Sequence, residues 1–227
     1  MSHDFAGKDL SGQDFSEQCL DGVDFSNANL SKANLNKASL IGANLSNATL
    51  AGANLSHAVL SRANLSNANL VCAILIETTF DGADLCNADL TGAKLSLSRF
   101  GDQADLCGAK FSDANLAEAQ FSHANLVSAD FRRSVLIGAV IEQSTLDNAD
   151  LAHANLHRAT LISLSMRGSN LYGANLSQAT LDQVDLQDAN LGGINVSSTT
   201  FTNVSGIPRE MEKELGQQMS QQSFQTS

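Results

Sequence analysis

Residues 28–45 read Ala28-Asn29-Leu30-Ser31-Lys32-Ala33-Asn34-Leu35-Asn36-Lys37-Ala38-Ser39-Leu40-Ile41-Gly42-Ala43-Asn44-Leu45. A leucine returns at every fifth position, with a small residue two places before it. Carried outward, the same step begins at Phe5 and runs unbroken to Phe100. It resumes one residue late at Leu106 and continues through Leu126, Ile141, Met166 and Val196 to Phe201. Twenty large apolar plugs stand on each side of that slip, all Leu, Ile, Val, Met or Phe. Such a period marks a repeat architecture, and it takes precedence over any local reading.

Residues two apart in an extended segment share a face. Each plug and the small residue before it, such as Ala28, Ala63 or Ala174, therefore point inward, and the Asn or Asp between them points outward. Two places after the plug the residue is often Gly (Gly12, Gly42, Gly52, Gly82, Gly138) or Asn. Both tolerate positive φ, so each pentad is predicted to end in a tight turn.

The pattern Ala-Asn/Asp-Leu-Ser-x, present from residue 1 to about 203, resembles the pentapeptide-repeat proteins, and the most regular stretches are similar to bacterial, notably cyanobacterial, members. The resemblance implies an all-β fold, a right-handed quadrilateral parallel β-helix with four pentads per coil. Asn27, Asn47, Asn67 and Asn87, which recur every twenty residues, support the square coil and suggest an Asn ladder along one corner. Forty pentads then make about ten coils, a rod roughly 48 Å long at ~4.8 Å per stacked strand. Each coil is stabilised mainly by its two neighbours.

A twenty-residue period sorts the plugs onto four walls that differ. On the fourth, the residues before the plugs are Cys19, Ser39, Val59, Thr79, Arg99, Gln120, Val140, Thr160, Thr180 and Thr200, with no Asp or Asn. Thr and Val favour extended backbone and Asn and Asp favour turns, so this wall should be the flattest and most sheet-like. Asp gathers on two adjacent walls: Asp4, Asp24, Asp84, Asp105 and Asp185 on the first, Asp9, Asp89, Asp130 and Asp150 on the second. The extra residue in Phe100-Gly101-Asp102-Gln103-Ala104-Asp105-Leu106 is too short for a loop and fits a bulge at a corner, either a neutral insertion or a slight bend.

The ends depart from the repeat. His3, Lys8, Gln13 and Gln18 replace Ala in the first coil and make a polar rim that discourages end-to-end stacking. At the other end three segments are expected: the β-helix over 1–203, a capping helix over 204–216 and a disordered Gln/Ser-rich tail over 217–227. Pro208 suits a first helical turn, and Ile207, Met211, Leu215 and Met219 form one apolar stripe. The stripe either lids the last coil or pairs with a second copy, which leaves a homodimer through an end open.

The formal net charge of −11 argues against direct binding to nucleic acid or to an anionic membrane. Met1-Ser2-His3-Asp4 does not begin a signal peptide, and no apolar run approaches membrane-spanning length. The four cysteines lack metal-ligand spacing, so a cytoplasmic protein with reduced thiols is expected. Cys86 and Cys107 each follow a plug on the same wall in consecutive coils, about 5 Å apart at Cα. Their parallel Cβ vectors favour neighbouring free thiols over a bridge. His57, His123, His153 and His157 all occupy outward positions on different coils or walls. A rod packed with side chains offers no water-excluding cleft. No catalytic residue, cofactor or metal site, and no enzymatic activity, is expected.

Two functions remain. The first is a rigid interaction scaffold for another protein, with outward apolar residues that break the consensus as docking candidates: Val71, Ile74, Ile76, Val135, Ile137 and Val140. Such residues mark a contact surface where they are contiguous. The second, implied by the family's quinolone-resistance members, is an acidic DNA mimic that binds DNA gyrase or topoisomerase. DNA carries one phosphate per ~1.7 Å, roughly 28 over this length, so the two Asp-rich walls would have to carry the mimicry alone.

Overall fold

One pentad shows how the chain makes one side of a coil. The Leu30 N–H donates to the Thr49 carbonyl of the next coil at 2.7 Å, and the Asn29 N–H donates to Lys8 of the preceding coil at 2.9 Å. The Ala33 N–H then closes on the Leu30 carbonyl at 3.0 Å. Between them Ser31 keeps negative φ while Lys32 has φ of 58°. Positive φ at the third of four residues is the signature of a type II turn. A left-handed residue stands two places after every plug from Phe5 to Phe201, including Glu17, Lys32, Arg62 and Glu118. Such residues resist that conformation by roughly 1–2 kcal/mol each, a penalty that burial of the plugs outweighs.

The computed structural model describes residues 4–208 as a parallel β-solenoid, with each wall linked to the next coil at a twenty-residue offset. The plugs and small residues fill its interior: Phe25, Leu30, Ala33 and Leu35 are all fully buried, and this pattern continues to Val196. The fourth wall is the sheet-like one. It carries β1 (Arg99–Phe100), β2 (Gln120–Ser122), β3 (Val140–Glu142), β4 (Thr160–Ser165), β5 (Thr180–Asp185) and β6 (Thr200–Thr202), paired in that order and all parallel. The expectation of about ten coils is corrected in this respect. Regular strand pairing covers five turns, from β1 to β6, and earlier coils are joined by single bridges such as Cys19↔Ser39 and Val59↔Thr79.

The inserted residue is absorbed at the corner after β1. Register moves from Thr79↔Arg99 to Arg99↔Gln120 without loss of pairing. Asp102 and Gln103 both take positive φ, 51° and 67°, where other corners have one such residue. Asp81 braces this bulge, accepting the Gly101 N–H at 2.9 Å.

The slip also divides two kinds of corner. Before it, the corner from the fourth wall to the first is closed by turn bonds, as in Ala43 N–H to Leu40 and Ala63 N–H to Leu60, both at 3.0 Å. After it, Ala124 N–H goes to Ser144 Oγ at 3.0 Å instead, the inter-coil bond of this corner persists, as in His123 N–H to Glu142 at 3.1 Å, and β4 and β5 run straight through the corner. The inward position of this column holds Ala43, Ala63 and Ala83 before the slip, and Ser144, Leu164 and Val184 later, all buried. Size alone does not set the corner: buried Val23 keeps its turn bond to Leu20 at 3.2 Å, whereas the small Ala124 gives its N–H to Ser144.

Five phenylalanines brace the same region. Phe80, Phe100 and Phe121 stack with centroids 4.8 and 4.7 Å apart, Phe111 and Phe131 stack at 4.8 Å, and edge contacts at 6.3 Å join the two columns. Hydroxyls in small inward positions are also satisfied: Thr78 donates to the Leu55 carbonyl at 2.8 Å and Ser98 to Leu75 at 2.7 Å.

At the first coil Lys8, Gln13 and Gln18 are exposed, and the Lys8 ammonium lies 5.2 Å from the Phe5 ring centroid; His3 lies outside the described residues. At the other end, residues 204–208 correct the expected capping helix. Ser205 bridges Asp185, and its N–H donates to the Val184 carbonyl at 3.0 Å, because Val204 and Ser205 begin one more pentad. Ile207 packs against the core. The rest of the expected helix, with Met211, Leu215 and Met219, and the tail over 217–227 lie outside the described residues. No helix among the described residues is long and apolar enough to cross a membrane.

Candidate interaction surface

With the interior filled, the chemistry of this rod lies on its walls. Outward Asx residues do structural work first. Asn29 Oδ1 accepts the Ser31 N–H at 3.1 Å, and its Nδ2 donates to Asp9 of the preceding coil at 3.0 Å. Asn34 on Asp14, Asn44 on Asp24, Asn125 on Asp105 and Asn170 on Asp150 repeat that step.

The nine wall aspartates separate by wall. On the second, Lys110 pairs with Asp89 at 3.9 Å, and Arg132 pairs with Asp130 at 2.6 Å and Asp150 at 3.8 Å. Ser112 adds a hydroxyl to Asp130 at 2.7 Å, and Arg133 forks onto Asp113 at 2.7 and 2.8 Å. On the first wall Asp185 faces Arg167 at 3.2 Å, whereas Asp4, Asp24, Asp84 and Asp105 have no ion pair among the described residues. Asp9 likewise stands without one on the second wall. The negative field is therefore concentrated on the first wall and largely compensated on the second.

These bonds shift titration. The Ser11 hydroxyl and amide hold Asp9 below its ordinary carboxyl value, those of Ser16 do the same for Asp14, and the amide and hydroxyl of Ser26 do so for Asp24. Burial pushes Asp130 up, but bonds from Arg132 and Ser112 outweigh it and leave it lowered. A carboxyl depressed by folding contributes stability above its unfolded pKa and loses it as pH falls through the folded one. Melting temperature should thus fall with pH from about 4 downward. An Asp9→Asn, Asp14→Asn, Asp24→Asn variant keeps the Oδ1 acceptor. It should melt like the parent at neutral pH and lose less on acidification, which thermal scans across that range would measure.

The six apolar docking candidates form two groups. Val71, Ile74 and Ile76 lie around one coil; Val135, Ile137 and Val140 lie around another three coils further on, and all six are half-buried. Ile74 sits in the third-wall row Asn54, Ile74, Lys94, and Val135 in the row Asn115, Val135, Asn155. The two groups are not continuous on the third wall, since Lys94 and Asn115 stand between them. At the corner of the third and fourth walls Ile76 and Ile137 stand in one row with Ser96 and Ala117 between them, and Leu97 lies in the adjacent row. Leu97 is 45% exposed, and the sequence pattern did not single it out. It occupies the left-handed turn position, φ 62°, where size and polarity have no bearing on the core. Ile41 and Tyr172, 42% and 52% exposed, lie on other corners. His153 meets Tyr172 edge-on at 5.6 Å, His57 lies 3.3 Å from Glu77, and His157 Nδ1 lies 2.9 Å from Ser177 Oγ.

Cys86 and Cys107 are free and half-buried, and Cys19 and Cys72 are free and exposed. Burial, then Asp105, Cys107 and Asp84, push the Cys86 thiol up to about 11. Oxygen atoms of Asp84 and Asp105 and the Cys86 sulfur lie within 4.8 Å of one another. Chain spacing concealed this group, because its members meet only when consecutive coils are overlaid.

The profile of pentapeptide repeats matches residues 9–47, 38–74, 73–102, 102–136, 134–171 and 165–203. HetL, a pentapeptide repeat protein involved in heterocyst differentiation regulation in the cyanobacterium Nostoc, is 27% identical over 87% of this chain and 86% of its own, with a TM-score of 0.79. A pentapeptide repeat protein of the Arabidopsis thaliana thylakoid lumen is 35% identical over 50% of this chain and 72% of its own, TM-score 0.36. QnrB1, a plasmid-mediated fluoroquinolone resistance protein, is 17% identical over 88% and 96%, TM-score 0.34, a likeness too slight to bear on function. No curated protein matches the chain.

Proposed function

This chain belongs to the pentapeptide-repeat family, and from that premise we propose that it is a non-enzymatic scaffold that docks another protein on the corner between its third and fourth walls. The filled core carries this reading: Phe25, Leu30, Phe100 and their neighbours leave no exposed interior surface, so recognition is confined to the walls. Ile76, Leu97 and Ile137 are the apolar side chains that follow one corner beside the flat wall, with Ile74, Val135 and Val140 flanking them. Val71 lies on the far edge of the third wall. HetL, whose rod is similar over most of its length, has a regulatory part in heterocyst differentiation. A regulatory role exercised by contact, in the cytoplasm, agrees with this surface.

An Ile76→Asp, Leu97→Asp, Ile137→Asp variant tests the reading. All three side chains lie outside the core, so the variant should fold. Crosslinking in the source cell should identify a partner whose affinity for the variant is weaker by about tenfold or more. Unchanged affinity would move the docking face elsewhere. The acidic first wall keeps one second reading in play, mimicry of DNA toward gyrase. Ion pairing of Asp89, Asp130 and Asp150 on the second wall opposes it. Purified protein is expected to leave gyrase supercoiling unaffected; inhibition that disappears in the Asp4, Asp24, Asp84, Asp105 to Asn variant would favour mimicry instead.

A further inference from the structure

We propose that Cys86, Cys107, Asp84 and Asp105, on the first wall in the two coils either side of the frame slip, bind a thiophilic divalent cation of the zinc type. Asp84 bridges Asp105 across consecutive coils, and each is followed two residues later by a cysteine on the same wall. The overlay brings two carboxylates and two thiols to one spot. Donor atoms of Asp84, Cys86 and Asp105 already lie within 4.8 Å of one another, and Cys107 follows Asp105 by two residues as Cys86 follows Asp84. A tetrahedral zinc site, with bonds of about 2.0–2.3 Å, needs its donors about 3.5 Å apart. Rotation of the four side chains is the movement that binding would require. Sulfur donors select zinc or cadmium over calcium or magnesium.

Two further observations bear on this spot. The Oδ1 atoms are committed, to the Cys86 N–H at 2.9 Å and to the Cys107 N–H at 3.1 Å, which leaves the second oxygen of each carboxylate for a cation. In addition, Asp84 and Asp105, like Asp4 and Asp24 on the same wall, face no Arg or Lys among the described residues, unlike Asp81, Asp89, Asp113, Asp130, Asp150 and Asp185; of those four unpaired aspartates, Asp84 and Asp105 have cysteines beside them. A cation here would neutralise charge that the protein leaves uncompensated.

Serine occupies the same place in earlier coils, as Ser26, Ser46 and Ser66. A Cys86→Ser, Cys107→Ser variant therefore restores the residue this position accepts elsewhere, and an unchanged melting temperature would verify its fold. Full-length reduced protein, stripped of metal, is titrated with Cd²⁺ while the thiolate-to-cadmium ultraviolet band is followed, and with Zn²⁺ against a coloured chelator. One equivalent of each ion should bind, with the cadmium band. The double serine variant should lose the band and bind zinc about 100-fold more weakly. Asp84→Asn, Asp105→Asn should keep the band but bind about tenfold more weakly. A parent protein that binds no better than the serine variant overturns the site. A band and affinity that ignore the aspartate substitutions overturn the four-ligand assignment.

Discussion

Phe100→Ala is expected to destabilise the protein by about 3–5 kcal/mol, the range for deleting a fully buried phenylalanine. The upper part of that range applies here. Phe100 stacks on Phe80 and Phe121 and meets Phe111 edge-on, so truncation breaks three ring contacts at once. A solenoid coil touches only its neighbours, so no distant part of the fold can compensate. Phe100 also immediately precedes Gly101, where the frame slips. The void would open beneath the one corner with two consecutive left-handed residues. Denaturant unfolding of the variant should show a lower midpoint, and a transition split in two if the halves come apart there. Phe100→Leu, which keeps most of the volume, should cost well under half as much. Equal losses for the two variants would show that the aromatic column is not what holds the centre.

The second large effect is a contrast between two alanines in one column. Ala63→Leu should destabilise by about 1–3 kcal/mol, because Ala63 is buried beside a corner closed by its own N–H to Leu60 at 3.0 Å and a larger side chain overpacks that space. Ala124→Leu should cost clearly less. Its N–H already turns to Ser144 Oγ at 3.0 Å, and the following coils hold Leu164 and Val184 in the same column. The comparison of their midpoints reads corner geometry directly. Similar losses at both sites would mean that the open corner provides no usable space.

The residues that repeat were the legible ones. Asn and Asp before the plug, Ala two places ahead and Gly or Asn two places after foretold the inward pairs, the outward ladders and the left-handed turns. The replacement of Asx by Thr, Val and Arg on the fourth wall foretold where β1 to β6 would form. What stayed hidden depends on the next coil. Arg132 compensates both Asp130 and Asp150, and Arg133 reaches Asp113. Those pairs depend on long side chains reaching across a stacked strand, for which composition offers no guide. The open corner had a visible signal, Leu164, Val184 and Val204 in a column that holds Ala from Ala43 to Ala124. It reads as irregularity until the turn bond is seen to be missing. Leu97 escaped notice because the turn position accepts any side chain.

The direction of the ladder has a mechanical consequence. Every inter-coil bond, such as Leu30 to Thr49 or Asn29 to Lys8, runs along the rod axis. Tension applied between the two ends therefore loads one coil boundary at a time instead of shearing many bonds together. Under such a pull the protein should yield by peeling, in a regular sawtooth of modest force. Each step would free a coil of twenty residues, about 70 Å of extended chain for each ~5 Å of rod consumed. The Phe80 to Phe131 stack should stand out as the one higher tooth. Sideways, with all four walls sharing the strain, the same rod is stiff: a strut under bending and a ribbon dispenser under tension.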